Sequence, residues 1–336
     1  MNDRAELRNK FISHTPWSGA VLDAFDQDAS FRRYFRLHGG PSPALLMDAP
    51  PPRESLQPFI GIADHLRAIG FSTPRVFVAD HQAGLAVIED FGDDTFTRLL
   101  AAGHDERDLY RLATDCLIEL HNHPESTNFE LPRRAESFLQ EVELFCQWFY
   151  PFSTGRECGV KIREEFVNAW RDVLAKRPRS RDVIVLRDFH IDNAMLLDDR
   201  EGVKKCGLLD FQDAAIGPAA YDVMSLLEDA RRDVDDNTAG ECLKLYRSHS
   251  DVCTDVRDFE TDCAIVAAQR HTRVAGVFAR LHLRDNKPHY LEHLPRVTRL
   301  LRKHLSHPAL CEFSNWIDSH LPDFDRSAIF REITCA

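Results

Sequence analysis

Apolar residues recur along this chain at two periods, and the periods change in blocks. Between Glu54 and Ile69 they fall at Leu56, Phe59, Ile60, Ala63, Leu66 and Ile69, a spacing that predicts an amphipathic helix ended by Gly70. The same spacing at Leu109, Leu112, Ala113, Cys116, Leu117 and Leu120 predicts a long helix over 107–121. Short apolar runs bounded by turn residues predict strands instead. One is Ala44 to Met47, halted by Asp48 and three prolines, and two more lie at 74–78 and 84–88. Ahead of them, the first 17 residues read as a short amphipathic helix, and 28–37 alternates aromatic residues with arginines, as one strand of a hairpin. Beyond the long helix come an aromatic-rich stretch at 138–150 and a loop at 153–159. After residue 222 the chain reads as helical to its end, interrupted by a solvated acidic loop at 233–237.

The chain is organised around residues 183–221. Three short apolar runs stand there, Val183 to Leu186, Met195 to Leu197 and Cys206 to Leu209, and the first and last each lead within two residues to an aspartate, Asp188 and Asp210. A carboxylate at the tip of a buried strand is costly unless it has a partner or a task. Solvated aspartates on a hairpin edge are one explanation. Phosphoryl transfer is the other, because it needs a carboxylate to position a hydroxyl and accept its proton, and hard oxygen ligands for the metal on the phosphates. Asp188 suits the first task, and Asn193 and Asp210 suit the second. The pattern D-x-x-x-x-N followed by a strand ending in D-F-G is met by Asp188 to Asn193 and by Asp210-Phe211-Gln212, with Leu186 in place of the usual histidine and Gln212 in place of glycine. Asp213 is placed to assist the metal or orient the loop. His190 is placed to replace the brace lost at Leu186, or to contact substrate. Asp222, ahead of the apolar positions Val223, Leu226 and Leu227, is placed to cap a helix or brace the catalytic loop.

Composition narrows the partners. The 336 residues, 43% apolar and 29% charged, are enough for two lobes and a large core. No apolar stretch reaches membrane-span length and the N-terminus lacks a signal-peptide core, so a cytoplasmic protein is expected. Nine cysteines without a C-x-x-C pair read as reduced thiols. A net charge of −12 argues against nucleic acid or an anionic membrane as partner and is compatible with a Mg-nucleotide.

The segment Leu186 to Leu227 resembles the aminoglycoside phosphotransferase and choline kinase superfamily. Two stretches, Asp28 to Arg36 and Leu209 to Ala214 with Gly217-Pro218, resemble one branch of it, the bacterial N-acetylmuramate/N-acetylglucosamine anomeric kinases of cell-wall recycling. The resemblance implies an α+β, two-lobed, protein-kinase-like fold: a small N-lobe with an antiparallel sheet over 1–90 and a larger, mostly helical C-lobe over 91–336. It implies ATP and Mg2+ as cofactors and a small-molecule hydroxyl, an amino sugar's anomeric hydroxyl, as acceptor. By this analogy the adenine hydrogen-bonds backbone at Glu89, Asp90 and Phe91, and the hairpin at 28–37 lies over the phosphates. That hairpin has no glycine-rich loop, so Ala29 and Ser30 are the small residues that could admit a phosphate. The strand lysine of kinases is also missing, since Lys10 is the only lysine before Lys161. Arg32, Arg33 and Arg36 are the candidates to replace it, with Glu54 a possible partner.

Candidates for the acceptor side are weaker. Glu143 and Trp148 offer a carboxylate and an aromatic face for a sugar, or else a helix core with a wet edge. Asp192, with Glu141 and Glu143, would suit a cationic acceptor such as an aminoglycoside, choline or an amino alcohol. Arg270 lies in a run of small apolar residues, facing either substrate or a structural partner. His289 and His293 match the H-x-x-E-H of some zinc peptidases, but Pro288 and Pro295 leave little room for the helix it needs. A catalytically silent nucleotide-binding relative remains the reading from another class.

Overall fold

The structure, a computed structural model, describes residues 2–25 and 31–326. Its helices and strands run, in order, α1 (Asn2–Ser13), β1 (Val21–Ala24), β2 (Arg33–His38), β3 (Ala44–Asp48), α2 (Leu56–Ala68), β4 (Val76–Asp80), β5 (Leu85–Glu89), α3 (Phe96–Ala101) and α4 (Glu106–Asn122). They continue as α5 (Phe138–Leu144), α6 (Tyr150–Thr154), α7 (Val160–Ala175), β6 (Val183–Val185), β7 (Ala194–Leu196), β8 (Cys206–Leu208), β9 (Ala215–Gly217), α8 (Ala220–Leu227), α9 (Asp236–His249), α10 (Val256–Leu283), α11 (Leu294–Leu305) and α12 (Cys311–His320). Two compact units form, residues 1–130 with 191–214, and residues 131–190 with 215–336. The boundary expected at residue 90 falls inside the first unit, and the chain passes between the units within the stretch from Asp188 to Asn193.

The first unit is built on an antiparallel sheet of order β1-β2-β3-β5-β4. Its central strands β3 and β5 are the apolar runs of the sequence, and Ala44, Leu46, Leu85 and Val87 are fully buried. Helix α2 starts at Ser55, whose side chain accepts from the Gln57 N–H, and buries Leu56, Phe59, Ile62, Ala63 and Leu66. β7 and β8 pair as a separate antiparallel ribbon, with Ala194 opposite Leu208.

The second unit is mostly helical. Asp255 caps α10 by accepting from the N–H groups of Arg257 and Asp258, and the 28-residue helix runs through the unit's core. At Gly276 an added Cβ would lie 2.5 Å from the Leu144 carbonyl carbon, so only glycine lets the end of α5 approach this closely. Phe145 and Phe149, in a π-turn after α5, are fully buried, and Trp148 packs partly buried on the same core. β6 pairs with β9.

Several local expectations are corrected here. The acidic stretch at 233–237 is largely exposed, as expected, but it is a loop only as far as Asp235, which caps α9, and Asp233 in it pairs with Arg296 at 3.0 Å and Arg299 at 2.5 Å. Helix α6 runs to Thr154 and stops where Gly155 turns left-handed (φ 66°), so the loop is shorter than 153–159. His289 and His293 lie in the 3-10 turn Pro288–His293. At three residues per turn, positions four apart do not share a face, which removes the helical zinc pair. Among the described residues no helix is long and apolar enough to cross a membrane. All eight described cysteines are free thiols.

Candidate active site

In the first unit, the site residues stand where strands β7 and β8 meet. The Asn193 carbonyl accepts the Leu209 N–H at 2.9 Å, which ties the turn before β7 to the exit of β8. One residue later Asp210 takes a left-handed backbone (φ 54°), strain that marks functional turns in non-glycine residues. Phe211 is fully buried and stacks on Phe59 of α2 at 5.1 Å, anchoring the turn while Asp210 and Asp213 stay exposed. Gln212, where kinases carry glycine, donates from Nε2 to Asp210 Oδ1 at 2.7 Å. Asn193, Asp210 and Asp213 thus stand on the same turn region with oxygen-bearing side chains of the kind a hard divalent cation takes, and both carboxylates are exposed.

The arginine candidates separate clearly. Arg32 pairs with Glu54 at 3.1 Å and is only 11% exposed. Tyr34 links this pair to the strand tip: burial pushes its phenol up to about 12, Arg32 pulls it back, and the charges of Asp210 and Glu54 add to the rise. Arg32, Tyr34, Glu54 and Asp210 therefore share one electrostatic neighbourhood. Arg36 points elsewhere, donating to Asp90 at 2.7 Å and Asp93 at 2.9 Å. Arg33 is exposed on β2, opposite Asp48. Ala29 and Ser30 lie outside the described residues.

The expected adenine segment is well ordered by its own contacts. The Glu89 N–H donates to the Arg75 carbonyl at 2.8 Å and the Asp90 N–H to the Pro43 carbonyl at 3.4 Å. Glu89 also takes Arg200 at 2.6 Å, and Arg200 lies over the Phe91 ring at 4.9 Å. Asp192 accepts from the Thr97 hydroxyl, so it serves the packing of α3.

The second unit carries the remaining candidates. Asp222, fully buried in the first turn of α8, accepts from the N–H of Leu186 at 2.6 Å and of Arg187 at 2.9 Å. These bonds hold Arg187 in a left-handed conformation (φ 71°) and fix the backbone from which Asp188 projects. Burial opposes ionisation of Asp188, but the charges of Arg273, His190, Arg187 and Arg270 outweigh it and hold the carboxyl below its ordinary value.

Sequence reasoning missed most of this positive cluster. Arg134, 2% exposed, closes its fork on Glu141, with Nη1 2.7 Å from Oε1 and Nη2 2.5 Å from Oε2, and reaches the Tyr221 hydroxyl at 2.8 Å. Arg187 and Arg273 approach the same carboxylate at 3.4 and 3.6 Å. Arg187 adjoins Asp188, and Arg273 follows Arg270 by one helical turn, which are the two signals that were available. Arg134 gave none. Arg270 is buried and donates to the Glu228 carbonyl at 3.1 Å. Glu143 is drawn away from this cluster into an ion pair with Arg163.

The profile of the phosphotransferase enzyme family matches residues 21–259. The N-acetylmuramate/N-acetylglucosamine kinase of Caulobacter vibrioides is 31% identical, over 96% of this chain and 98% of its own length. The kinase of the same name from Pseudomonas aeruginosa is 34% identical, over 89% of this chain and 88% of its own. Among solved structures, choline kinase LicA of Streptococcus pneumoniae superposes with a TM-score of 0.62 at 11% identity, covering 90% of this chain and 99% of its own. At that identity the likeness speaks for the fold alone: α+β and protein-kinase-like.

Proposed function

The chain belongs to the phosphotransferase enzyme family and is a small-molecule kinase, and from that premise we propose that it moves the γ-phosphoryl group of ATP to the anomeric hydroxyl of N-acetylmuramate or N-acetylglucosamine. The relatives named for those two sugars support the acceptor, since they match along almost the whole chain. The single observation that carries the chemistry is Asp188, held ionised by its arginine neighbours on a loop braced by Asp222.

Asp188 acts as the carboxylate that orients the sugar hydroxyl and accepts its proton as the new O–P bond forms and the bond from the γ-phosphorus to the bridging oxygen breaks, releasing ADP. His190, buried beside it and contributing to its charge balance, is a positioning residue in place of the brace lost at Leu186. Asn193 and Asp210, with Asp213 assisting, would hold Mg2+, and the Mg-ATP they bind supplies the activated phosphoryl group. Arg32, kept in place by Glu54, takes the task of the missing lysine against the nucleotide phosphates. Backbone readout of adenine falls to the segment from Glu89 to Phe91. Cationic acceptors suit the site poorly, because Arg187, Arg270 and Arg273 around Asp188 repel them. A cytoplasmic enzyme drawing on the ATP pool follows from this reading.

The test is ATP consumption against a panel of N-acetylated amino sugars, aminoglycosides and choline, with the phosphate position read by phosphorus NMR. The expected product is a sugar 1-phosphate. Asp188→Asn is expected to lower turnover by several orders of magnitude while Mg-ATP still binds. A 6-phosphate product, or full activity in Asp188→Asn, refutes the assignment.

A further inference from the structure

Where α8, α10 and α11 meet in the second unit, three side chains that the phosphoryl-transfer chemistry does not use converge. His271 Nε2, from α10, and His304 Nε2, from α11, both lie against Oε2 of Glu228, the residue that follows α8, at 2.8 and 2.7 Å. The donor atoms of the three stand within 4.8 Å of one another, and the side chains of His271, His304 and Glu228 are only 0%, 11% and 5% exposed. A carboxylate buried between two imidazoles is costly unless the group has a task.

We infer that Glu228, His271 and His304 form a binding site for a first-row divalent cation of the Zn2+ type, which staples the three helices together. Two imidazole nitrogens and one carboxylate oxygen are the donors that such ions take, whereas Mg2+ and Ca2+ select oxygen alone. The site shares no residue with Asn193, Asp210 and Asp213, which belong to the other unit.

The geometry needs little adjustment. Bonds of about 2.0–2.2 Å in a tetrahedron set neighbouring donor atoms roughly 3.4 Å apart, so each imidazole withdraws from Oε2 by roughly 0.6 Å to admit the ion. The Lys303 ammonium sits on the other oxygen, Oε1, at 2.9 Å, and its side chain is 65% exposed, so it can turn to solvent when a cation arrives. Nδ1 of His271 is buried and has no hydrogen-bond partner. Nothing therefore pins the tautomer of this ring, and its proton can move to Nδ1 while the Nε2 lone pair faces the ion. A cavity of about 640 Å3, lined by Glu228, Lys303 and His304 among others, supplies a way in and room for a water as fourth ligand.

The probe is Zn2+, with Co2+ as its coloured substitute, added to the chelator-stripped full chain in saturating Mg2+ so that oxygen-only sites stay filled. The native protein is expected to bind Zn2+ with a rise in melting temperature, because the ion holds the folded form, and to give with Co2+ the intense visible absorption of a four-coordinate site. Loss of a group that merely supports a metal ligand costs about ten- to a hundredfold in affinity, so loss of a ligand in His304→Gln should raise the Kd for Zn2+ about a hundredfold or more and remove the Co2+ absorption. His271→Gln should do the same; if that fully buried position does not tolerate the change, His304→Gln at the cavity wall decides. A native protein that shows neither the melting shift nor the absorption overturns the inference without recourse to any variant. Zn2+ affinity unchanged in His304→Gln overturns it as well, since the ion then sits adventitiously on other histidines.

Discussion

Replacing Asp222 by asparagine tests whether the loop carrying Asp188 hangs on one buried carboxylate. The carboxylate accepts two backbone N–H groups, at 2.6 and 2.9 Å, and is fully excluded from water. Asparagine keeps one acceptor oxygen and turns an NH2 group toward the other N–H, so one charged hydrogen bond is lost and a buried donor is left facing a donor. With about 1.5–3 kcal/mol for the bond and about 1–3 kcal/mol for the orphaned group, partly relieved by local shifts, the expected destabilisation is about 2–4 kcal/mol. The left-handed conformation of Arg187 adds to the vulnerability, since it is costly for a non-glycine residue and these two bonds oppose its relaxation. Urea titration should give a lower midpoint with an unchanged slope, and thermal melting a drop of about 5–10 °C. Turnover should fall by about tenfold or more even well below the melting temperature, because Asp188 loses its set position. Mg-ATP affinity should stay near native, as its proposed ligands stand in the other unit. A variant with native midpoint and native turnover refutes the bracing argument.

Three further outcomes follow from the same geometry. Arg32→Gln should raise the Kd for Mg-ATP about ten- to a hundredfold by calorimetry and Arg36→Gln much less, since Arg36 is spent on Asp90 and Asp93. Asp210→Asn should abolish the rise in melting temperature that saturating Mg-ATP gives the native protein, worth about 2.7 kcal/mol at a hundred times Kd. Burial, partly offset by the hydrogen bond to Glu228, pushes the His271 imidazole from 6.5 down to about 4, so the unfolded chain takes up the proton first as pH falls. Its contribution to stability is present above pH 6.5 and lost on the way down toward 4, about 2 kcal/mol between pH 7.5 and 5, and His271→Gln should flatten that part of the urea-midpoint profile.

Local pattern was enough for the elements of the first unit. Leu56, Phe59, Ala63 and Leu66 are spaced for one helical face and bury on it, and the runs at Ala44 and Leu85 are apolar enough that only central strands could hold them. The strand-tip aspartates Asp188 and Asp210 stood out for a related reason: a charge beside a core needs a partner or a task, and both stand within one short segment with Asn193 between them. Arg32 could not be separated from Arg33 and Arg36 by sequence, because alternation assigns faces but not partners. The fates of Glu143 and Asp192 were equally hidden, since any nearby arginine or threonine could claim them.

What the sequence determined by itself was therefore the order of elements, the kinase-like segment and the oxygen-bearing residues proposed for the chemistry, all of it information carried by neighbours a few positions apart. Only the tertiary structure decided which cations face which acids. Glu141 meets Arg134, Arg187 and Arg273 from points up to 132 residues away in the chain, and Arg32 meets Glu54 across two strands and the turns that follow them. Electrostatic energy depends on distance through space and on burial, and the packing of the core sets both; no local pattern encodes them.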